Sequence, residues 1–439
     1  MTRRSVTGEA DVVVVGAGII GCSVAYRLSR SGRSVIVVDA GPCAGAGSTS
    51  ASSAIVRFHY TLSDNVALAW DSYQAWTDWA NEIGGTDPDG MVEYRTTGGI
   101  LLGPPDEFDL MVTNLTALGI DHEVLSPAQI RTRFPAIDPS RFGPPARLDD
   151  PGFFRDGWGE LYGLFTPDAG YINDPQLAAH NYQWAAQRHG AEFRYHSRVV
   201  DVATSDGHVE GVTLADGSDI HAPILVNAAG PASDQFNELA GVAHRHAVRS
   251  RPLRTETHVA PAPPEFSDSQ ATFVFDPDLG SAFRPEIGGL VHVSNIEPAC
   301  DELVWVDDPW REDHLPTVEA FETQVLRVAR RMPELPIPHR PSGLAALYDV
   351  TPDWNPILDR GAIDGLFLAC GTSGNSFKTA PTIGHIIKSL IDRSPLGSDA
   401  ATRERRPEAT FTTPRTGSRI DLGHYSRNRK PGPATSVIA

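Results

Sequence analysis

The stretch DVVVVGAGIIGCSVAYRLSRSGRSVIVVDAG, residues 11–41, decides the fold of the first part of the chain. It opens with an unbroken run of valines, which is typical of a parallel strand buried on both faces. The helical pattern that follows ends at Gly32, and a second apolar run leads to Asp39. This order of strand, glycine turn, helix, strand and acid predicts a dinucleotide-binding βαβ unit.

The glycine turn has a spacing suited to a pyrophosphate. Gly16, Gly18 and Gly21 form GxGxxG, in which the first glycine allows a tight turn, the second lets the backbone approach the phosphates, and the third lets the helix pack closely on the strand. The helix N-terminus directs its dipole and free N–H groups at the phosphates. Asp39 is placed to accept hydrogen bonds from ribose hydroxyls and disfavours a 2′-phosphate, so this motif leaves both FAD and NAD open.

The length, net charge and cysteine content of the chain exclude several classes of partner and site. The 439 residues are enough for two domains, and the net charge of −18 argues against nucleic acid and against an anionic membrane surface as partners. No apolar run approaches the roughly 20 residues that span a bilayer. The four cysteines show neither CxxC nor metal-site spacing, which predicts a reduced, cytoplasmic protein without a bound metal. We expect a monomer or a small homo-oligomer.

Three later segments carry further signals of a nucleotide site. Residues 40–60 form a loop rich in Gly, Ala, Ser and Thr, whose backbone and hydroxyls could lie along a second phosphate and a flavin ring. Residues 198–230 predict a small β-meander with Asp-Gly turns that ends in a buried strand. Residues 365–391 predict another buried strand, a glycine-rich turn and an amphipathic helix, which directs a second helix N-terminus at the nucleotide.

These segments, in this order, resemble the D-amino-acid oxidase (DAO) superfamily of FAD-dependent oxidoreductases, on the sarcosine oxidase and glycine oxidase branch. The resemblance is carried by residues 12–41, by GSTSASSAIVRFHY at 47–60, by residues 167–202, by ILVNAAGP at 224–231, by LYDVTPDWNPILD at 347–359 and by GTSGNSFKTAPTIG at 371–384.

The resemblance implies an α/β fold, α+β overall, with two domains. An FAD-binding Rossmann-like domain would be built from the discontinuous segments 8–90, 150–235 and 340–395. An antiparallel-sheet substrate domain would cover 91–149 and 236–339. The remaining residues, 396–439, form a polar C-terminal extension, which we expect to be either loose or a strap over the surface.

The resemblance also implies four catalytic residues. Arg57 and Lys378 would bind a substrate carboxylate, Tyr348 would face the substrate, and His59 would reach the pocket. The fork of an arginine matches a carboxylate bidentately. Lys378 is one of only three lysines among the 37 basic residues, so an ammonium at this position stands out from a chain that otherwise uses arginine.

A larger set of residues is expected to hold the cofactor, most of them in the glycine-rich turns and the small-residue loop. They are Gly16, Gly18, Gly21, Asp39, Ser48, Thr49, Val199, Gly230, Gly371, Gly374, Asn375, Ser376 and Lys378. His292 and Asn295 are expected where the substrate sheet meets the flavin, on a looser alignment.

The chain departs from the sarcosine oxidase pattern at two positions. Ala346 stands where those enzymes carry the cysteine that bonds to the flavin, and Thr49 and Ser50 replace a histidine pair, so we expect non-covalent FAD. Val291, with His292 beside it, aligns with a lysine that helps the reduced flavin react with O2 by supplying positive charge. Oxygen is therefore activated by another group, or electrons pass to another acceptor.

The function implied is oxidation of a C–N bond in a small amino acid or N-alkyl amino acid. A hydride would pass to flavin N5, and water would hydrolyse the imine, with O2 as the expected acceptor. One alternative is an amine dehydrogenase or a metabolite-tailoring enzyme with another acceptor. An alternative of a different class is a non-catalytic flavoprotein assembly factor, although paired carboxylate anchors argue against it.

Overall fold

The computed structural model of the protein describes residues 6–266, 271–394 and 410–432. The α-helices are Ile19–Arg30 (α1), Ser63–Trp76 (α2), Trp79–Ile83 (α3), Asp109–Ala117 (α4), Pro127–Arg133 (α5), Pro175–Gln187 (α6), Ser233–Leu239 (α7), Val318–Arg331 (α8) and Ala380–Asp392 (α9). Short 3-10 turns lie at Pro105–Phe108, Pro151–Phe154, Gly230–Ala232, Ala243–Arg245 and Leu422–Tyr425.

The strands are short and numerous. They are Val6–Glu9 (β1), Val12–Val15 (β2), Val35–Val38 (β3), Ile55–Val56 (β4), Tyr94–Thr96 (β5), Gly99–Gly103 (β6), Glu123–Leu125 (β7), Ser140–Arg141 (β8), Gly159–Glu160 (β9), Tyr162–Thr166 (β10), Gly170–Ile172 (β11), Glu192–Arg194 (β12), Val199–Ser205 (β13), His208–Leu214 (β14), Asp219–His221 (β15), Ile224–Asn227 (β16), Arg251–Pro261 (β17), Phe273–Asp276 (β18), Ser281–Glu286 (β19), Leu290–Asn295 (β20), Val304–Trp305 (β21), Gly343–Val350 (β22), Ile357–Arg360 (β23), Leu366–Cys370 (β24), Thr410–Thr412 (β25) and Arg419–Asp421 (β26).

A six-stranded sheet forms the nucleotide-binding part of the fold, in the order β12-β3-β2-β16-β24-β23. All pairs are parallel except β23 with β24. Strands β2 and β3 are buried along their whole length, as the valine runs predict. The neighbours β2, β16 and β24 come from three distant parts of the sequence, which confirms that separate segments return to one sheet.

The predicted meander packs on one face of this sheet. Strands β13, β14 and β15 are antiparallel, and β1 adds to β15 in parallel. Side chains of the meander such as Val202 and Val212 share a buried cluster with Val13 and Ile36 of the six-stranded sheet. On the other face, α1 packs between α6 and α9. The sheet is therefore covered on both sides, as parallel sheets require.

A second, larger sheet has the order β21-β17-β20-β19-β18-β6-β10-β7, with β22 also paired to β17. Its pairs are antiparallel except β18 with β6. Helix α8 covers one face, where Phe321 and Val325 join Val291 and Val293 in the core. Strands β10 and β22 belong to this sheet, although their residues lie in ranges that the sequence assigns to the cofactor domain. The bounds of the two domains stay a prediction.

The described part of the C-terminal extension, residues 410–432, is a strap over the body of the protein. Strands β25 and β26 pair as a hairpin, and the side chains of Ile420 and Tyr425 are fully buried. The predicted range also includes 396–409 and 433–439, which lie outside the described residues. Within the described residues, no helix has the length and apolar character required to cross a membrane.

Candidate active site

Four predicted cofactor residues follow the carboxyl ends of parallel strands in the six-stranded sheet. Gly16 follows β2, Asp39 follows β3, Gly230 lies beyond β16, and Gly371 follows β24. Ligands of open α/β sheets bind at this edge, because the connections diverge there and leave a crevice. The structure thus brings together residues that are up to 355 positions apart, from 16 to 371, along one sheet edge.

The glycine turn has the close packing that the sequence predicts. Gly16 has a φ of 107°, and a Cβ there would lie 2.2 Å from the Ala228 carbonyl oxygen. A Cβ at Gly21 would lie 1.9 Å from the Gly16 carbonyl oxygen, so only glycine lets α1 approach the strand. At Gly18 the nearest atom to such a Cβ is Thr49 Oγ1, at 3.2 Å. Gly18, which directly precedes α1, has no side chain with which to cap the helix.

Two other predicted cofactor residues brace this turn. The Asp39 carboxylate accepts hydrogen bonds from the Ala17 and Gly41 N–H groups, both at 2.6 Å. Thr49 Oγ1 accepts from the Ile19 N–H at 3.1 Å. Both residues therefore lie at the nucleotide turn, and the role of Asp39 in binding ribose stays a prediction.

Three further predicted cofactor residues, Ser48, Val199 and Ser376, lie in other segments of the fold. Ser48 Oγ donates to the Leu347 carbonyl oxygen at 2.6 Å, which ties the small-residue loop to β22. Val199 begins β13 and pairs with Leu214. Ser376 is buried, and its Oγ donates to the Thr372 carbonyl oxygen at 3.3 Å.

A small cavity of about 50 Å³ lies between the glycine-rich loop after β24 and the large sheet. Its lining residues are Ser52, Ser53, Ile55, Arg57, Phe273, Phe275, Ala282, Ser294, Asn295, Ile296, Tyr348, Gly374, Asn375, Phe377 and Lys378. Three of the four predicted catalytic residues are among them. The cavity walls combine aromatic and aliphatic side chains with a similar share of polar groups, and two cations supply the charge.

Arg57 is a buried cation on this wall. Its side chain is 3% exposed, Nη1 donates to the His59 carbonyl oxygen at 2.6 Å, and Nη2 donates to Asn375 Oδ1 at 3.4 Å. The guanidinium carbon lies 4.2 Å from the centre of the Tyr60 ring and 4.7 Å from that of Phe275. Burial lowers the pKa of Arg57, so an anion beside it would be favoured.

Lys378 is the second buried cation, at 4% exposure. Its Nζ donates to the Asn375 carbonyl oxygen at 2.5 Å and lies 5.5 Å from the centre of the Tyr60 ring. Burial lowers the pKa of the ammonium. Burial alone would raise the pKa of Tyr60, but Arg57 and Lys378 outweigh it and lower that pKa. Asn375 and Tyr60 therefore hold the two cations at one end of the cavity.

Tyr348 and His59 differ in their relation to the cavity. The Tyr348 ring lies against Gly374, where a Cβ would be 2.5 Å from the ring, and burial raises the pKa of its phenol. His59 is buried behind Arg57, with Nε2 3.4 Å from Thr166 Oγ1 and a pKa lowered to about 3 by burial. His59 does not line the cavity, so its contact with the site is its carbonyl oxygen on Arg57.

The pleat of β20 separates Val291, which aligns with the lysine of the sarcosine oxidase pattern, from its neighbour His292. Val291 and Val293 point into the core under α8, and Ser294 lines the cavity. His292 shares the face of Ser294 because side chains alternate along a strand. His292 is directly opposite Arg284 on β19, and burial lowers its pKa well below the usual value. The register thus places His292, not Val291, on the cavity side.

Several lining residues were not predicted from the sequence. Phe273, Phe275 and Ala282 come from β18 and β19, and Ser294 comes from β20. Ser294 Oγ is buried and has no hydrogen-bond partner among the described residues. The alternation in LVHVSN could have identified Ser294 as a residue on the same face as His292, but no local pattern marks the aromatic residues as cavity walls.

The residues present fit FAD. Gly18 at the start of α1 has no side chain of its own, so the backbone N–H groups of the glycine turn can approach a pyrophosphate beside the Thr49 hydroxyl. The loop at 48–56 then runs from the nucleotide turn to the cavity, where Ser52 and Ser53 line the wall. The second half of such a dinucleotide would follow this loop from the glycine turn to the cavity.

Comparisons with known proteins agree with this geometry. A family described as "DAO: FAD dependent oxidoreductase" matches residues 11–390. The monomeric sarcosine oxidase of Streptomyces avermitilis is 26% identical over 399 residues, which cover 87% of this chain and 93% of that protein. The peroxisomal sarcosine oxidase of Homo sapiens is 26% identical over 398 residues, covering 87% and 91% of the two chains.

Solved structures show the same fold. The L-proline dehydrogenase from P. horikoshii has a TM-score of 0.72 at 20% identity and covers 90% of this chain and 96% of its own. The glycine oxidase from Geobacillus kaustophilus has a TM-score of 0.71 at 19% identity, with 91% and 100% covered. Since the family match spans residues 11–390, the chain belongs to the DAO family and is an FAD-dependent oxidoreductase.

Proposed function

We propose that the protein oxidises a C–N bond in a small amino acid or N-alkyl amino acid. The observation that carries this proposal is the pair of buried cations, Arg57 and Lys378, at one end of a cavity whose other lining residues are uncharged. The two cations are removed from water, at 3% and 4% exposure, and they therefore strongly favour binding of an anion. The anionic group of an amino acid is its carboxylate.

Each lining group has a role in this proposal. Arg57 and Lys378 bind the substrate carboxylate, and Asn375 holds both cations in place. Tyr348 closes the wall beside Gly374 and orients the substrate. Phe275 and the other aromatic residues exclude water, which strengthens the charge contacts.

We propose that FAD is held non-covalently by the glycine turns. When bound, FAD accepts the two electrons released from the C–N bond. Gly16, Gly18 and Gly21 would face its pyrophosphate, and the loop containing Ser48 and Thr49 would lie along its second half. Asp39 would accept hydrogen bonds from ribose after its contacts with the turn rearrange.

We propose O2 as the electron acceptor, with another acceptor as the alternative. Arg284 is a buried cation on the large sheet beside the cavity; its Nε donates to the Ser53 carbonyl oxygen at 2.8 Å, and its Nη2 pairs with the Glu286 carboxylate at 2.8 Å. Positive charge beside the cavity would stabilise the negative charge that develops on oxygen during reduction. A reducing compartment such as the cytoplasm agrees with four free cysteines. We also propose a monomer or a small homo-oligomer.

The test is an anaerobic absorbance titration of the FAD-loaded protein. Glycine, sarcosine, proline, D-amino acids and N-methyl amino acids are added singly, and we expect one class to bleach the flavin band. Admitting air then separates an oxidase, which regains the band rapidly with formation of peroxide, from a dehydrogenase. A band that none of these compounds bleaches would contradict the proposal and favour a larger metabolite or a non-catalytic flavoprotein.

A further inference from the structure

The strap carries an arginine that is fully engaged with the body of the protein. Arg429 is 5% exposed, and its Nε and Nη2 donate to the two carboxylate oxygens of Asp353, at 2.8 and 2.7 Å. Nη2 also donates to the Asn355 carbonyl oxygen at 2.6 Å, and Nη1 donates to the carbonyl oxygens of Pro356 and Ser426, at 3.0 and 3.2 Å. All five guanidinium donors are therefore used.

These bonds hold a turn that is strained. Trp354 has a φ of 58°, in the left-handed region that disfavours side chains with a Cβ. Thr351 Oγ1 donates to the Asn355 carbonyl oxygen at 2.7 Å across the turn, and Asp353 Oδ1 accepts from the Asn355 N–H at 3.3 Å. Such a conformation persists only where the surroundings determine it, and Arg429 supplies contacts on both sides of Trp354.

The strained turn interlocks with the loop that follows β24. The Thr351 N–H donates to Ser373 Oγ at 3.1 Å, and the Ser373 N–H donates to the Asp349 carbonyl oxygen at 3.1 Å. Ser373 is also left-handed, with a φ of 50°. A Cβ at Gly371 would lie 2.5 Å from Thr351 Cγ2, which shows how closely the two turns pack.

This second loop supplies one end of the candidate active site. Gly374, Asn375, Phe377 and Lys378 all line the cavity and directly follow Ser373. Asn375 accepts from both cations of the cavity, through its side chain and its carbonyl oxygen. A shift of the loop would therefore move both carboxylate contacts together.

We propose that Arg429 is a positioning residue for this site: by fixing the turn at 351–356 it holds the loop at 371–378, and the strap is thereby part of the carboxylate-binding machinery. The inference rests on the proposed function, because it takes Lys378 and Asn375 to act on a substrate carboxylate. The family match ends at residue 390, so the strap lies outside it.

The test compares three strap variants of the FAD-loaded protein. Arg429→Met removes the guanidinium, and Arg429→Lys keeps a charge but cannot form the five hydrogen bonds. Arg427→Met is the matched control: Arg427 is 4% exposed on the same strap, but its side chain donates to the carbonyl oxygens of Arg360 and Arg245, away from the loop. The probe is propionate, whose dissociation constant is read from the change in flavin absorbance, beside the melting temperature.

We expect Arg429→Met to weaken propionate binding about ten-fold or more. This factor corresponds to the loss of roughly one charge-assisted hydrogen bond to the carboxylate. Arg429→Lys should weaken it by a smaller factor. Arg427→Met should lower the melting temperature. It should leave the dissociation constant of propionate within about two-fold of the unchanged protein, because a change that is distant from the carboxylate contacts does not couple to them. If the strap only stabilised the fold, all three variants would have a lower melting temperature, and none would have a changed dissociation constant for propionate.

A fourth variant, Lys378→Met, separates this inference from the proposed function. If Lys378→Met leaves propionate binding unchanged, the carboxylate anchor itself is wrong. If it weakens binding while both Arg429 variants match the unchanged protein, only the positioning role is overturned. Should Arg429→Met fail to fold, Arg429→Lys decides alone, and a propionate constant equal to that of the unchanged protein overturns the inference.

Discussion

Among single residues, Lys378 gives the clearest pH dependence. Burial lowers the pKa of its ammonium from the usual 10.5, so the charge is lost at a lower pH than for an exposed lysine. As pH rises through that pKa, the carboxylate loses one of its two cations, and the KM of a carboxylate substrate should increase. Below it, both cations are present and KM should be constant. The measurement is KM against pH with the amine that bleaches the flavin.

Two lysine variants test whether Lys378 is the group that titrates. Lys378→Met should raise KM about ten-fold or more and flatten its alkaline dependence, since the titrating cation is gone. The control is Lys388→Met, because Lys388 is a partly exposed lysine of α9 that pairs with Asp392 at 2.5 Å. Superimposable KM profiles for the Lys378→Met variant and the unchanged protein would show that Lys378 does not bind the substrate.

Ala346 predicts how FAD is retained. It lies on β22 opposite Thr255, and its methyl group offers no nucleophile for a bond to the flavin. Precipitation with acid should therefore release all of the flavin into the supernatant, where its absorbance is measured. Flavin that stays in the washed pellet would contradict this and would require another attachment residue.

The sequence could predict the charged residues of the site but not its walls. Arg57, Lys378 and Tyr348 were identified from motifs that resemble a family, and all three line the cavity. Phe275 and Ser294 lie in short strands whose pairing depends on the whole large sheet, so no local pattern shows that they face this cavity. His59 was expected in the pocket, but it is not among the lining residues, and its carbonyl oxygen accepts from Arg57.

At the scale of elements, the pleat of β20 separates two neighbouring positions. A lysine at Val291 would be buried in the core beside Val293 and Phe321, which should lower the free energy of unfolding by about 3 kcal/mol or more. A lysine at His292 would instead lie on the cavity side, opposite Arg284. It should cost less stability and speed reoxidation by O2, because it adds positive charge there.

Urea unfolding and stopped-flow reoxidation of these two variants test the register. The matched pair differs by one position, and a one-residue slip would reverse the side-chain directions along the strand. Equal loss of stability in Val291→Lys and His292→Lys would contradict the assignment of faces. A Val291→Lys protein that is stable and reoxidises faster than His292→Lys would show that the strand is shifted.

Helices and strands with a clear pattern of apolar residues could be predicted from the sequence. Elements whose position depends on contacts with distant segments could not. The strands β2, β3, β16 and β24 and the helices α1 and α9 follow directly from apolar runs and glycine turns. The strap has few apolar residues and gave no period, yet Asp71 of α2 accepts backbone hydrogen bonds from Arg415 and Thr416 of the strap. Its position depends on buried carboxylates elsewhere, which local sequence cannot show.

For the molecule as a whole, the candidate site depends on segments that are distant in sequence. The nucleotide edge uses residues near 16, 39, 230 and 371, and the strap reaches the same region from residue 429. A ligand that contacts several of these segments stabilises the folded state by binding to it and not to the unfolded chain. The cofactor should therefore report on the integrity of the whole molecule.

Removal of FAD should lower the melting temperature, and adding it back should restore the loss. At a free FAD concentration 100 times its dissociation constant, binding contributes about 2.7 kcal/mol to the folded state. NAD is the matched control, because it shares the adenosine and pyrophosphate but lacks the flavin that the loop at 48–56 and the cavity would receive. Scanning calorimetry of the apo protein should show a larger shift with FAD than with NAD. An equal shift with both ligands would mean that only the glycine turn takes part in binding, and the assignment of the cavity to the flavin would fail.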